Sequence, residues 1–172
     1  GVGVYNTPAS SSLSVAELVF ASLFGCVRFL PDSNRKMPVE GGSKFNDLKK
    51  AYAKGVELRG KTLGIVGFGR IGREVAKIAL GVGMDVIAYD LYEFIPNVEV
   101  VLGGGIVVHA KVKVATLEEV IRESDFITLH TPFIDKALFG AAELARTKKG
   151  VGLVNISRGG LIDELALIDA LN

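Results

Sequence analysis

The most regular pattern of apolar and polar positions lies between residues 61 and 90. An apolar run over 61–67 leads through three closely spaced glycines into a helical pattern over 70–81, and a second apolar run covers 85–90. Short apolar runs bounded by glycine indicate strands, whereas apolar residues at i, i+4 and i+7 indicate one face of a helix. This stretch therefore predicts strand, helix, strand. The predicted sheet-facing stripe of the helix is Ile71, Val75, Ile78, Ala79 and Val82.

Two later apolar runs, over 125–130 and 150–157, lack the alternation of a half-exposed strand. Nearly continuous runs of this kind are typical of parallel strands covered on both faces. Thr116 and Asp163 precede further helical patterns as N-cap residues. We therefore predict an α/β fold, a Rossmann-type doubly wound parallel sheet with helices on both faces.

A β-hairpin insertion is predicted within residues 91–115. Val98–Val101 and Ile106–Val114 are rich in β-branched residues and flank the glycines 103–105. β-Branched runs around a glycine turn favour a hairpin.

The N-terminal part predicts one long helix. Residues 13–30 are apolar on nearly every side, and Ser14 with Glu17 fits a capping box at the helix start. Glu17 and Arg28 argue against a membrane span, because such a span needs about 20 residues with few or no charges. We expect a buried or interface helix. Pro31 is expected to end it, and 33–60 is expected to be mainly loop, with a short helix over 44–54.

Composition narrows the classes of partner. The 172 residues carry 20 basic and 19 acidic side chains, so the net charge of +1 gives no reason to expect nucleic acid. The single cysteine, Cys26, allows no intrachain disulfide, which fits a cytoplasmic location. Because Cys26 lies in an apolar stretch, we expect a buried structural thiol. The chain begins GVGVYNTPAS, which is not a signal peptide, and we expect it to be part of something longer.

The three glycines, Gly67, Gly69 and Gly72, form the pattern G-x-G-x-x-G between strand and helix. In dinucleotide-binding folds the first glycine allows a tight turn, the second lets a pyrophosphate approach the backbone, and the third lets the helix pack on the sheet. The helix N-terminus then offers free N–H groups to the phosphates. The pattern predicts a dinucleotide site, with a tight turn that binds no ligand as the alternative.

An acid and an arginine follow the ends of later strands. Asp90 stands 23 residues after Gly67, where an acid can bind the adenosine ribose and repel a 2′-phosphate, so NAD is favoured over NADP. A helix cap is the alternative for Asp90. Arg158 follows the 150–157 run and could hold a substrate carboxylate, or lie on a solvated loop.

These residues resemble the D-isomer-specific 2-hydroxyacid dehydrogenase family. The motifs that carry the resemblance run in order over nearly the whole chain: Asn6–Pro8 with Ser14–Val19, Glu57–Gly64, GFGRIG (67–72), DFITLHTP (125–132) and VNISRGGLIDE (154–164). The resemblance implies NAD as cofactor and no metal. It implies that Gly67, Gly69, Arg70, Ile71 and Gly72 bind the pyrophosphate, Asp90 the ribose, and His130, Thr131 and Pro132 the adenosine side. Ile156, Ser157 and Arg158 would flank the nicotinamide, with Arg158 as the catalytic arginine.

The resemblance also implies what the chain lacks. The family's acid–base pair, a glutamate and a histidine, follows the arginine, but His109 and His130 both precede Arg158. We therefore expect residues 1–172 to be the NAD-binding domain, with the 13–30 helix as a homodimer contact, and the substrate domain to lie elsewhere. The implied reaction is oxidation of a D-2-hydroxy acid, with D-3-phosphoglycerate of serine synthesis expected first. A glyoxylate or hydroxypyruvate reductase and a dinucleotide-sensing corepressor are the alternatives.

Two departures from the family pattern have no assigned role. The 91–115 insertion is longer than is common in the family, and Lys44 stands where many relatives carry a tryptophan before an aromatic residue. A contact between Lys44 and a substrate phosphate is one hypothesis, and a solvated surface lysine is the more ordinary one.

Overall fold

Five parallel strands form the central sheet of the computed structural model, which describes residues 2–7, 9–132 and 135–172. In spatial order these strands are Lys113–Val114 (β5), Asp85–Tyr89 (β2), Thr62–Val66 (β1), Phe126–Leu129 (β6) and Gly152–Asn155 (β7). Counting strands of this sheet alone, the order is 3-2-1-4-5, so the winding reverses between β1 and β6. Ligands of such sheets bind beyond the carboxyl ends of the strands at this reversal.

Helices lie on both faces of the sheet, so the predicted doubly wound α/β arrangement is confirmed, and the described residues contain six helices in all. They are Ser12–Val27 (α1), Leu30–Tyr52 (α2), Arg70–Val82 (α3), Leu117–Glu123 (α4), Ala141–Leu144 (α5) and Glu164–Leu171 (α6). On one face α1 and α3 pack through a cluster that includes Leu23, Ile65 and Val75. On the other face α4, α5 and α6 pack around Ile121 and Phe139.

The predicted helix starts at Thr116 and Asp163 are both observed. The Thr116 hydroxyl accepts a hydrogen bond from the Glu119 N–H at 3.2 Å, and a Glu119 carboxylate oxygen accepts the Thr116 N–H at 2.7 Å. Asp163 accepts from the Ala166 N–H at 3.0 Å. Both side chains satisfy backbone donors that a helix leaves free at its N-terminus.

The predicted hairpin is present, although its second arm is shorter than expected. Asn97–Val101 (β3) pairs antiparallel with Val107–Lys111 (β4) across a short 3₁₀ turn at Gly103–Gly105. The chain turns at the buried Val112, whose N–H donates to the Pro96 carbonyl, and then enters the main sheet as β5. The predicted arm 106–114 therefore contains two strands in two different sheets.

The predicted ends of the N-terminal helix are wrong. The helix begins at Ser12 instead of residue 13, so Ser14 and Glu17 lie inside it and form no capping box. It ends at Val27, because Phe29 adopts a left-handed conformation (φ 55°) that breaks it. Pro31 then falls in the first turn of α2, where a missing backbone N–H costs no intrahelical hydrogen bond.

The loop predicted from residue 33 is wrong, because α2 begins at Leu30 and is helical there, whereas the short helix predicted over 44–54 is present as the last part of α2. Lys44 has non-helical angles (φ −119°, ψ 24°) and divides α2 into two helical segments. The chain turns back on itself there, because the Tyr52 hydroxyl donates to Asp32 at 3.1 Å, whereas a continuous helix would separate these residues by about 30 Å. Ion pairs on neighbouring turns add about 0.2–0.5 kcal/mol each to the first segment, less than its proline and glycines cost. Lys36 lies 3.1 Å from Asp32, and Lys44 lies 3.0 Å from Glu40.

The first helix buries one face rather than its whole surface. Ala16, Val19 and Leu23 are buried against the rest of the chain, whereas Leu13 and Leu18 are 52% and 53% exposed. Cys26 is exposed, so the expectation of a buried thiol was wrong. Within the described residues no single helix is long and apolar enough to cross a membrane; α1 and α2 pass that test as a pair by length and composition, with a 50° bend between them.

Candidate dinucleotide-binding site

The fold itself requires glycine at the first and third positions of the glycine-rich turn. Gly67 has φ +96°, and a Cβ placed on it would lie 2.6 Å from the carbonyl oxygen of His130 at the end of the neighbouring strand. A Cβ on Gly72 would collide with the carbonyl oxygen of Gly67. These two residues are therefore explained by contacts within the chain.

Gly69 is different, because nothing in the fold requires it. Its φ of −75° is open to any residue, and the described part of the chain places no heavy atom within 4 Å of a Cβ built there. The open space lies at the N-terminus of α3, where free N–H groups and the helix dipole favour a negative group. A side chain at 69 would enter this space. The open approach fits a pyrophosphate, as predicted for the second glycine of the motif.

Asp90 lies at the end of β2 and holds the glycine turn directly. Its Oδ2 accepts the Phe68 N–H at 2.6 Å, and its Oδ1 accepts the Tyr92 N–H at 3.1 Å. It therefore does not have the helix-capping role considered from sequence. The carboxylate stands beside the turn, where the ribose of a bound dinucleotide is expected. Its bond to Phe68 was missed from sequence, because it depends on the alignment of β1 with β2.

An open cavity of about 270 Å³ lies beside the N-terminus of α3. Ser12, Arg70, Arg73 and Glu74 contribute to its walls. The Ser12 hydroxyl is buried and has no hydrogen-bond partner among the described residues. Arg70 is exposed here and can reach an anion. Sequence reasoning missed Ser12, because only the packing of α1 on α3 brings it to this place.

An apolar cavity of about 240 Å³ lies on the other side of the turn, beyond β1, β2 and β6. Thr131 and Pro132, predicted for the adenosine side, line it, and the Thr131 hydroxyl is buried without a partner in the described chain. Such a mainly apolar space with few polar groups suits an adenine ring. Residues missed from sequence complete the lining: Val66, Tyr89, Leu91, Lys136, Ala137, Leu138 and Leu161.

His130 supports this region through its backbone rather than through its ring. Its N–H donates to the Val66 carbonyl at 2.7 Å, and its own carbonyl lies against Gly67. The ring Nε2 is 3.0 Å from the Thr128 hydroxyl, and burial lowers the pKa of His130 to about 4. The imidazole is therefore neutral near pH 7, and it does not line the adenosine-side cavity.

The loop that carries Arg158 is pinned by two neighbouring side chains. The Asn155 amide donates to the Arg158 carbonyl at 2.9 Å and accepts the Ser157 N–H at 3.1 Å. The Ser157 hydroxyl donates to the Thr131 carbonyl at 2.9 Å, which ties the end of β7 to the end of β6. The Arg158 side chain is exposed, and Ile156 packs against the core. Asn155 was not singled out from sequence.

The predicted residues thus gather at the carboxyl ends of four adjacent strands. The glycine turn follows β1, Thr131 and Pro132 follow β6, and the Arg158 loop follows β7, while Asp90 ends β2. This arrangement around the winding reversal defines a dinucleotide-binding domain of the Rossmann type. It provides an anion site at a helix N-terminus, an acid for a ribose and an apolar cavity for a base.

Comparison with known proteins specifies the family. Residues 20–172 match the family model described as D-isomer specific 2-hydroxyacid dehydrogenase, NAD binding domain, and the chain belongs to this family. It is 40% identical over 173 residues to D-3-phosphoglycerate dehydrogenase of Methanocaldococcus jannaschii, covering 99% of this chain and 30% of the relative. It is 39% identical over 171 residues to hydroxypyruvate reductase of Thermotoga maritima, covering 98% and 50%.

A solved structure agrees with this assignment. The pyruvate reductase of Chlamydomonas reinhardtii superimposes with a TM-score of 0.80 and 37% identity, over 99% of this chain and 46% of that one. The predicted family and the predicted cofactor, NAD, are thereby confirmed. The chain spans between about a third and half of the length of the relatives described here.

Proposed function

We propose that this chain is the NAD-binding domain of a longer dehydrogenase that oxidises a D-2-hydroxy acid. The observation that carries the proposal is the open approach above Gly69, flanked by the α3 N-terminus and by Asp90. The α3 N-terminus and Arg70 would hold the pyrophosphate, with Gly67, Ile71 and Gly72 shaping the turn. Asp90 would bind the ribose and disfavour a 2′-phosphate, and the apolar cavity would take the adenine.

The nicotinamide end would lie along the loop that follows β7. Bound NAD supplies the acceptor for the hydride that leaves C2 of the substrate. Ile156 and Ser157 would flank that acceptor, and the Arg158 guanidinium would hold the substrate carboxylate and polarise the neighbouring oxygen through parallel hydrogen bonds. The bonds from Asn155 and Ser157 support this role, because they fix the backbone on either side of the arginine.

The proton of the substrate hydroxyl must pass to a base, and we assign that step to neither histidine of this chain. His109 is exposed on the hairpin, where its Nδ1 is 3.6 Å from Glu99. The His130 ring is buried beside Thr128 and neutral. The glutamate–histidine pair of the family is proposed to lie in the remainder of the protein.

D-3-phosphoglycerate, the first substrate of serine synthesis, is the proposed hydroxy acid. The relative from Methanocaldococcus jannaschii, named for this substrate, supports it, whereas the relative from Thermotoga maritima supports hydroxypyruvate reduction as the second candidate. Values of kcat/KM for D-3-phosphoglycerate oxidation and for hydroxypyruvate and glyoxylate reduction, measured on the full-length protein, separate these candidates. A protein that binds NADH but turns over none of them would instead favour a dinucleotide-sensing role.

The role of Arg158 is tested in the same full-length protein. Arg158→Lys keeps the charge but loses the paired donors, so kcat/KM should fall about 100-fold while NADH affinity stays unchanged. Arg122→Lys is the matched control, because Arg122 lies on α4 and pairs with Glu118. Equal activity of the Arg158→Lys variant and the wild type would contradict the assignment.

We also propose a cytoplasmic homodimer that forms through α1. Leu13, Leu18 and Phe24 are each at least 40% exposed on one helix, which supports a contact with a second copy. Leu18→Glu should shift the mass measured by light scattering from dimer to monomer, whereas Glu17→Gln should leave it unchanged. A monomeric wild type at working concentration would overturn this proposal.

A further inference from the structure

The segment after β2, which enters the hairpin insertion, contacts the glycine turn at more than one point. Phe68, the middle residue of Gly67-Phe68-Gly69, is 3% exposed and lies in the core. Its ring centroid is 4.7 Å from that of Phe94, which precedes β3. The bond from its N–H to Asp90 holds the backbone of the same residue. Both the side chain and the backbone of Phe68 are therefore held by residues 90–94.

Arg73, in the first turn of α3, completes this connection. Its Nη1 donates to the Ile95 carbonyl at 2.6 Å and its Nη2 to the Asn97 carbonyl at 2.7 Å. Its guanidinium carbon lies 5.4 Å from the centre of the Phe68 ring. One planar group thus binds two carbonyls of the hairpin and stacks on the glycine turn, a combination that arginine makes and lysine does not.

We propose that Arg73, Phe68 and Phe94 form a brace that couples the β3–β4 hairpin to the dinucleotide site, with Arg73 as its positioning residue. The inference rests on the proposed function, because the brace sets the glycine turn and Asp90 at the spacing that one dinucleotide must bridge. It also gives the insertion over 91–115 a role, since the carbonyls of Ile95 and Asn97 lie where the chain enters its first arm. A loosened brace would leave both halves of the site present but poorly aligned.

The sharpest test is Arg73→Lys in this chain, with NADH affinity measured by nicotinamide fluorescence. Lysine keeps the charge and the helix but cannot bind both carbonyls. The Kd for NADH should therefore rise about tenfold, which is the typical effect of losing a hydrogen bond that holds a binding group in place. Lys77→Ala is the matched control, because Lys77 lies one turn further along the same helix and pairs with Glu74. Its Kd should equal that of the wild type.

A second measurement separates positioning from a general loss of stability. Amide hydrogen exchange of Phe68, whose N–H is bound by Asp90, should become faster in Arg73→Lys, while Ile65 in β1 keeps its protection. Phe94→Leu should show the same selective change. If amide exchange in Arg73→Lys becomes faster at Phe68 and Ile65 to the same extent, the brace is overturned. The same holds if the wild type binds NADH and Arg73→Lys binds it with the same Kd. If the wild type binds no NADH, the proposed function fails, and the exchange at Phe68 still decides on the brace.

Discussion

The contrast between Gly69 and Gly72 provides the most specific prediction about the glycine turn. A methyl group at 69 meets no protein atom, whereas one at 72 collides with the Gly67 carbonyl. Gly69 is also the N-cap of α3, where alanine stabilises the helix less than glycine does, by several tenths of a kcal/mol. Alanine also restricts the unfolded chain, which raises the free energy of unfolding by about 0.4–1 kcal/mol. Gly69→Ala should therefore change the free energy of unfolding by less than about 0.5 kcal/mol. Gly72→Ala should cost about 1–3 kcal/mol, as an overpacked contact does.

Gly69→Ala should weaken NADH binding strongly, although it changes stability little. The methyl group of Gly69→Ala occupies the space predicted for the pyrophosphate, so the Kd for NADH should rise about tenfold or more, equivalent to at least about 1.4 kcal/mol. For each of the two variants, urea unfolding gives the free energy of unfolding and NADH titration gives the Kd. A Gly69→Ala variant that loses as much stability as Gly72→Ala, or that binds NADH as the wild type does, would refute the reasoning.

Three further predictions concern the residues around the turn. The folded pKa of His130 lies below its unfolded value, so the stability that depends on the neutral ring is present above about pH 6.5 and is lost as the pH falls toward 4. Relative to His130→Gln, the free energy of unfolding of the wild type, measured in urea, should therefore fall by about 2 kcal/mol between pH 7 and pH 5. A difference between the two proteins that does not change with pH would contradict this. Asp90→Asn keeps an acceptor for Phe68 but removes the charge, so the ratio of NADPH to NADH affinity should rise about tenfold, whereas an unchanged ratio would exclude Asp90 as the discriminating group. Asn155→Asp removes the donor to the Arg158 carbonyl, so in the full-length protein kcat should fall about tenfold with NADH affinity retained, and unchanged kcat would show that the Arg158 loop needs no such support.

Local patterns were sufficient to predict the strand, turn and helix over 61–90. The spacing of Gly67, Gly69 and Gly72 and the period of α3 are properties of consecutive residues, and β1, α3 and β2 all lie where these patterns place them. The family resemblance depended on further motifs in the right order, and the family model confirms it. The individual roles of the site residues stay predictions.

Features that depend on long-range packing were not predicted from sequence. The Ser12 hydroxyl lines the cavity beside the α3 N-terminus only because α1 packs on α3, and the Asp90–Phe68 bond follows from the pairing of Val66 with Tyr89. The long helix α2 was missed for another reason. Its proline and glycines argue against a helix by several kcal/mol, and the pairs around Asp32 and Glu40 return only about 0.2–0.5 kcal/mol each, so local propensity does not explain its first segment.

The measurement that tests the central claim most directly is an equilibrium titration of this chain with NADH and, separately, with NADPH. Nicotinamide fluorescence is suitable because the chain has no tryptophan, so the signal does not depend on energy transfer from that residue. The account predicts saturable binding of NADH and at least about tenfold weaker binding of NADPH, whose 2′-phosphate would meet the Asp90 carboxylate. Binding of neither would contradict the claim that the turn over 67–72 with Asp90 forms a dinucleotide site in this chain.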